Sequence, residues 1–161
     1  MLPQSPLTSV DLQRFIEEHK FDATILLLDE PTPTVPDAAR VLGVEPEQII
    51  KSLVFLIQDV PLLAINKGLK KVDRGKIAGL LGMGKKQVKF ASAEQALALT
   101  GYVVGSMPPF GHRQKLRTLV DPAITQFELI FGGGGDVNSL LQLTPTELLR
   151  VTQAELVSIS E

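Results

Sequence analysis

The stretch IIKSLVFLIQDVPLLAIN, residues 49–66, decides the fold of this 161-residue chain. Two runs rich in Ile, Val and Leu flank the polar pair Gln58-Asp59, a pattern that predicts two strands joined by a tight turn. Lys51 interrupts the first run, and a lysine in a buried strand is costly unless its amine reaches water or an anionic partner. Lys51 is therefore either a strand-end lysine that reaches water or a lysine held on a rigid strand to receive an anion or an ester.

Strands and helices alternate irregularly on both sides of this hairpin, which favours an α/β (α+β) fold over a pure βαβ repeat. The length fits a single domain over residues 1–161, with a mixed, mostly antiparallel sheet surrounded by helices and an N-terminal helix at about 9–20 appended. Four glycines at 132–135 predict a flexible loop. Further strands are predicted at 23–28, 85–90, 102–104, 118–120 and 126–131, and helices are predicted to begin at the caps Ser9, Thr34, Asp73, Ser92 and Thr144.

The composition excludes several kinds of chemistry. The chain has no cysteine, so it has neither disulfides nor a thiolate nucleophile, and its two histidines, His19 and His112, lie far apart outside any metal-ligand spacing. We therefore expect no metal and no cofactor. No apolar run approaches the roughly 20 residues of a membrane span, and the first residues do not resemble a signal peptide, so we expect a cytoplasmic protein without a membrane segment.

Charge is distributed unevenly along the chain. The formal net charge is only -2, but residues 67–117 carry eleven basic and two acidic residues, a net charge of +9, whereas the remaining residues carry -11. Such segregation is typical of a surface that binds a polyanion, although a solvated face with counter-ions produces the same pattern.

The second unusual stretch is GYVVGSMPPFGH, residues 101–112. Glycine lets the backbone approach a ligand closely, and loop N–H groups can stabilise negative charge that develops on an ester carbonyl, while adjacent prolines stiffen the loop. A tight turn at a sheet edge is the simpler alternative. Ser106, His112 and Asp121 could form a hydrolase triad, but Ser106 lacks the GxSxG turn of such enzymes.

Three segments together resemble the YbaK/ProX family of stand-alone aminoacyl-tRNA editing domains, which are related to the insertion domain of bacterial prolyl-tRNA synthetase. These segments are TPTVPDAARVLGV, QIIKSLVF with its strand lysine, and GSMPP, which fits the GxxxP loop of the family. The resemblance runs from about Phe21 to Leu149. It implies a YbaK-like fold and hydrolysis, in trans, of the ester that joins a wrong amino acid to the 3′-terminal adenosine of tRNA(Pro), without a protein nucleophile.

The resemblance also implies roles for individual residues. Lys51 would hold the 3′ end of the tRNA and the loop would contact the aminoacyl carbonyl. Relatives divide between cysteinyl and alanyl esters, and we expect cysteine slightly over alanine. Some relatives carry an acidic residue before the last helix, where SLLQL here has none, and Asn138 is taken as the nearest polar candidate. The candidate catalytic residues are Lys51, Gly105, Ser106, Met107 and Pro109; the candidate substrate-binding residues are Thr34, Ser52, Gly101, Phe110, Gly111, His112 and Asn138; the candidate tRNA-binding residues are Lys67, Lys70, Lys71, Lys85, Lys86, Arg113 and Lys115.

Two other functions stay open at this point. The chain could be a non-catalytic tRNA-binding or synthetase-associated module on the same fold, because a fold does not fix a function. It could also be a small-molecule esterase that uses Ser106 and His112. The expected partners are the acceptor end of mischarged tRNA(Pro) and, as an open question, prolyl-tRNA synthetase.

Overall fold

The computed structural model describes residues 5–161. Five α-helices lie within these residues: α1 (Ser9–His19), α2 (Val35–Leu42), α3 (Arg74–Leu81), α4 (Ala93–Thr100) and α5 (Pro145–Thr152). The strands are β1 (Ala23–Leu27), β2 (Ile50–Ile57), β3 (Val60–Lys67), β4 (Val88–Phe90), β5 (Arg117–Val120), β6 (Ile130–Gly133), β7 (Ser139–Leu143) and β8 (Glu155–Leu156).

The hairpin of β2 and β3 is the centre of the fold, as the sequence predicts. Its strands pair antiparallel from Ile57 opposite Val60 to Ile50 opposite Lys67. The two turn residues, Gln58 and Asp59, both have positive φ, which is the geometry that matches the twist of the flanking strands. The tight turn therefore fixes the register of both strands.

The strands form two sheets that share one hydrophobic core. The larger sheet has the order β4-β2-β3-β5-β8, with parallel pairs only at β3-β5 and β5-β8, and the smaller sheet is antiparallel with the order β1-β7-β6. A single bridge from Ile49 to Phe131 joins the sheets. The predicted fold class, with mixed and mostly antiparallel pairing, is confirmed.

Strand β3 is buried on both faces, because each face of the larger sheet is covered. Leu63 and Ile65 belong to the core shared with the smaller sheet, and Leu62 and Ala64 belong to the core shared with α3. Side chains alternate between the two faces of a strand, so the near-continuous apolar run of β3 follows from this double burial.

Most helix ends lie where the sequence places them. Thr34, Ser92 and Thr144 each accept a hydrogen bond from the backbone three residues on, and Asp73 caps α3 in the same manner. For α1 the prediction is wrong by one residue: Thr8, not Ser9, is the cap, because Thr8 and Asp11 form a reciprocal capping box.

Several predicted strands are wrong or displaced. Residues 102–104 form a turn after α4 rather than a strand, and 85–87 form a 3-10 turn before β4 begins at Val88. The strand predicted at 126–131 begins only at Ile130, because Asp121 and Pro122 start a 3-10 helix that runs to Gln126. Strand β7 is absent from the sequence prediction.

The four glycines at 132–135 are not a flexible loop, and that prediction is wrong. Gly132 and Gly133 lie in β6, and Gly135 has a φ of +101°. A Cβ on Gly133 would lie 2.2 Å from the Met107 carbonyl oxygen, and one on Gly134 would lie 2.6 Å from the backbone of Ser139. Glycine is required here because neighbouring backbone segments pack directly against this strand.

Candidate active site between the two sheets

A cavity of about 400 Å³ opens between the sheets, beside the first half of β2. Its walls come from β2, β6, the start of α2, the end of β4 and the loop that follows α4. Among the candidate residues, five border this cavity: Thr34, Lys51, Ser52, Gly105 and Met107. The strand lysine and the GxxxP loop, which are more than fifty positions apart in the sequence, thus meet at one site.

Lys51 lies at the edge of this cavity with its amine held in place. Its Nζ donates a hydrogen bond to the Lys70 carbonyl at 2.5 Å, and the Asn66 amide donates to the same oxygen at 2.8 Å. Burial lowers the pKa of Lys51, and the nearby charge of Lys71 lowers it further. The Lys51 side chain is therefore partly buried, and its amine binds a backbone carbonyl instead of an anionic partner.

The GxxxP loop is anchored from both sides. The Ser106 carbonyl accepts from the Gly135 N–H at 3.0 Å, and the Ser106 N–H donates to the Val103 carbonyl. The His112 Nε2 donates to the Pro108 carbonyl at 2.8 Å. Gly105, with a φ of +97°, stays exposed, and a Cβ there would meet no atom within 4 Å. The loop therefore presents a rigid backbone to the cavity.

The geometry does not assemble the Ser-His-Asp triad considered above. The ring of His112 is engaged with Pro108, and the Asp121 carboxylate accepts from the backbone N–H groups of Ala123, Ile159 and Ser160. Burial raises the pKa of Asp121, but these donors outweigh it and the net shift is downward. Asp121 ties the C-terminal segment to the end of β5 and serves a structural role.

The second half of the loop lines a different cavity, of about 280 Å³. Pro109, Phe110, Gly111 and His112 lie there with the aromatic rings of α1 and the segment after it. Gly101 ends α4 and packs against Leu7, Ser106 is buried beneath the loop, and Asn138 donates to the Leu28 carbonyl. None of these seven residues lines the first cavity, so the candidate residues do not form a single site.

The candidate tRNA-binding residues also divide. Lys70 and Lys71 flank the carbonyl that holds Lys51, and Lys86 shares a surface groove with Phe90, which borders the first cavity. Lys85 precedes Lys86 in the same exposed turn. The other three are engaged elsewhere: Lys67 lies over the ring of Phe127, Arg113 donates to the Ser5 carbonyl and Lys115 donates to Gln153.

Sequence reasoning missed the apolar part of the cavity. Val35 and Ala38 of α2, Leu140 of β7 and Phe90 at the end of β4 all line it. The apolar face of α2 was a signal for Val35 and Ala38, but ordinary core packing explains it equally well. These residues can be identified as cavity residues only when the arrangement of the two sheets is known.

The fold and this cavity define an aminoacyl-tRNA editing domain. The model of the family described as "Aminoacyl-tRNA editing domain" matches residues 29–151, and the chain belongs to that family. The family expected from the lysine strand and the GSMPP loop is therefore confirmed.

Particular relatives extend this result. A structure described as a "putative trans-editing enzyme for prolyl tRNA synthetase" superposes with a TM-score of 0.89 at 31% identity, covering 99% of both chains. The uncharacterized protein YwhH of Bacillus subtilis is 32% identical over 71% of this chain and 72% of its own length. A proline–tRNA ligase of a Thermoanaerobacter species is 24% identical over 65% of this chain, which corresponds to 18% of the ligase.

None of the helices in residues 5–161 is long and apolar enough to cross a membrane.

Proposed function

We propose that this chain is an aminoacyl-tRNA deacylase that hydrolyses the ester of mischarged tRNA(Pro) in trans. The observation that carries the proposal is the meeting of Lys51 with Gly105 and Met107 around one cavity of about 400 Å³. That volume lies in the usual range for a small-molecule site, and its mostly apolar lining suits an amino-acid side chain. The acceptor end of tRNA(Pro) is the proposed partner, and prolyl-tRNA synthetase is the proposed source of the mischarged substrate in the cytoplasm.

The residues support hydrolysis by water or by a group on the substrate. In both cases one water is consumed: its oxygen ends on the aminoacyl carbonyl carbon, the bond from that carbon to the ribose oxygen breaks, and the ribose oxygen takes the proton that the water loses. Lys51 supplies a positive charge for the anionic 3′ end, and the fixed backbone at Gly105 supplies an N–H toward the carbonyl. Cysteine is slightly preferred over alanine as the amino acid removed.

Deacylation of Cys-, Ala- and Pro-tRNA(Pro) by the wild type and by Lys51→Ala tests this proposal. We expect hydrolysis of a mischarged species, with Pro-tRNA(Pro) spared and turnover lost in the variant. Arg14→Ala, which removes an exposed charge on α1 away from the cavity, is the matched control and should act as the wild type. Binding of tRNA without hydrolysis of any ester would instead identify a non-catalytic module. Ser106→Ala should retain activity, which excludes a serine nucleophile.

A further inference from the structure

The first half of β2 has a free edge inside the cavity. Strand β4 pairs with β2 only from Phe55 to Ile57, so the stretch before Val54 has no strand beside it on that side. The bridge from Ile49 to Phe131 closes the other end of this gap. Ser52 lies between these two ends and borders the cavity.

The direction of the Ser52 peptide groups follows from strand geometry. The N–H and C=O of one residue point to the same side of a strand, and successive residues alternate. The Val54 carbonyl accepts from the Ala91 N–H at 2.9 Å, on the β4 side. Ser52, two residues earlier, therefore directs its own N–H and C=O toward the free edge and away from β3.

Ser52 has no hydrogen-bond partner within residues 5–161, for its N–H, its C=O or its hydroxyl. The residue is half-buried, so these groups are screened on most sides and open to the cavity. Unpaired donors and acceptors at a sheet edge are a template for another extended segment. Gly105 and Met107 line the same cavity as Ser52, and β4 does not pair with β2 as far as Ser52.

We propose that the main chain of Ser52 binds the aminoacyl group as a strand of one residue. This inference rests on the proposed deacylase function. The α-ammonium of the ester donates to the Ser52 C=O, and the ester carbonyl accepts from the Ser52 N–H. These are the two bonds that one residue of an antiparallel hydrogen-bonded pair makes with its partner. The N–H also faces the oxygen on which negative charge develops during hydrolysis.

The same pairing orients the amino-acid side chain. Residues opposite each other in a sheet direct their side chains to the same face, which for Ser52 is the face of Ile50 and Val54. That face lines the cavity. Main-chain binding thus recognises the part common to all amino acids, and the apolar wall alone selects the side chain.

Two variants at one position test the proposal. Ser52→Ala removes the hydroxyl and keeps the peptide groups, so it is the reference against which the loss of turnover in Ser52→Pro is measured. Ser52→Pro removes the N–H, which is outside the β2-β3 ladder, so the sheet should persist while turnover falls by about 100-fold or more. A folded Ser52→Pro protein with wild-type turnover would overturn the inference.

A substrate pair tests the same contact in the wild type, whether or not the proline variant folds. Alanyl-tRNA is compared with propionyl-tRNA, and cysteinyl-tRNA with 3-mercaptopropionyl-tRNA, each rate divided by that of the uncatalysed ester. Loss of the ammonium should lower the rate enhancement by about 10- to 100-fold. Equal enhancement with and without the ammonium would refute the Ser52 pairing and leave the deacylase function intact. No hydrolysis of any ester would refute the deacylase function itself.

Discussion

Gly133→Ala should lower turnover by about 100-fold without unfolding the protein. The added Cβ would lie 2.2 Å from the Met107 carbonyl oxygen and 2.9 Å from the Ser106 carbonyl oxygen. Both neighbours are backbone, so relief requires the GxxxP loop or β6 to move by about 1 Å, and a misplacement of that size can lower a rate by about 100-fold. Overpacking of this kind also lowers the free energy of unfolding by about 1–3 kcal/mol.

The assay is single-turnover deacylation of the mischarged tRNA, with a thermal melt of the same preparation. Gly79→Ala is the matched control, because this glycine lies in α3 and a Cβ there would meet no atom within 4 Å. That control should keep full activity and gain about 0.5–1 kcal/mol of helix stability. A folded Gly133→Ala protein with full turnover would show that β6 does not position the loop.

Three further outcomes are expected. Asp121→Ala should lower the free energy of unfolding by about 2–3 kcal/mol at pH 7, because backbone N–H groups of three residues lose their charged acceptor. Urea titration measures this change, and an unchanged midpoint of unfolding would contradict the prediction. Burial lowers the pKa of His112 although its bond to Pro108 opposes this, so the unfolded chain takes up the proton first and stability should fall as the pH drops below about 6.5. His112→Gln should flatten this dependence of stability on pH. If the variant's curve of stability against pH runs parallel to that of the wild type, a different group is responsible. Affinity for tRNA should fall steeply with salt, and a slope near zero in a filter-binding series would exclude phosphate contacts.

The hairpin and the helix caps could be predicted because their signals are local. A two-residue polar break between apolar runs specifies the turn at Gln58 and Asp59, and side chains such as Thr34 and Ser92 cap their own helices within four residues. These contacts form between near neighbours in the sequence. Their energetics therefore do not depend on the rest of the fold.

The errors arise where distant segments decide the local structure. The run of glycines at 132–135 has the composition of a mobile turn, but the backbone of Met107 and Ser139 packs against it and its first two residues belong to β6. Residues 102–104 have strand-forming side chains, yet Tyr102 is buried in the core and the chain turns at once toward the loop. Tertiary packing overrides local propensity at both places.

The candidate site was predictable only in part for the same reason. Lys51 interrupts an apolar strand, and Gly105 lies in a loop that is unusually rich in glycine and proline. Both features can be recognised in the sequence alone. The apolar wall formed by Val35 and Leu140 follows ordinary core patterns and becomes visible only when the sheets are paired. His112 was chosen for its proximity in the sequence to the loop, and the structure places it beside the second cavity rather than the first.

The incomplete pairing of β2 also bears on self-association. An open strand edge invites the same strand of another copy, the first step toward an aggregated sheet. Here the start of α2, the GxxxP loop and the end of β4 line the cavity beside that edge, so these walls stand in the way of a second strand. A variant with a shortened GxxxP loop would lose the enclosed cavity and expose the edge of β2 to pairing with another copy.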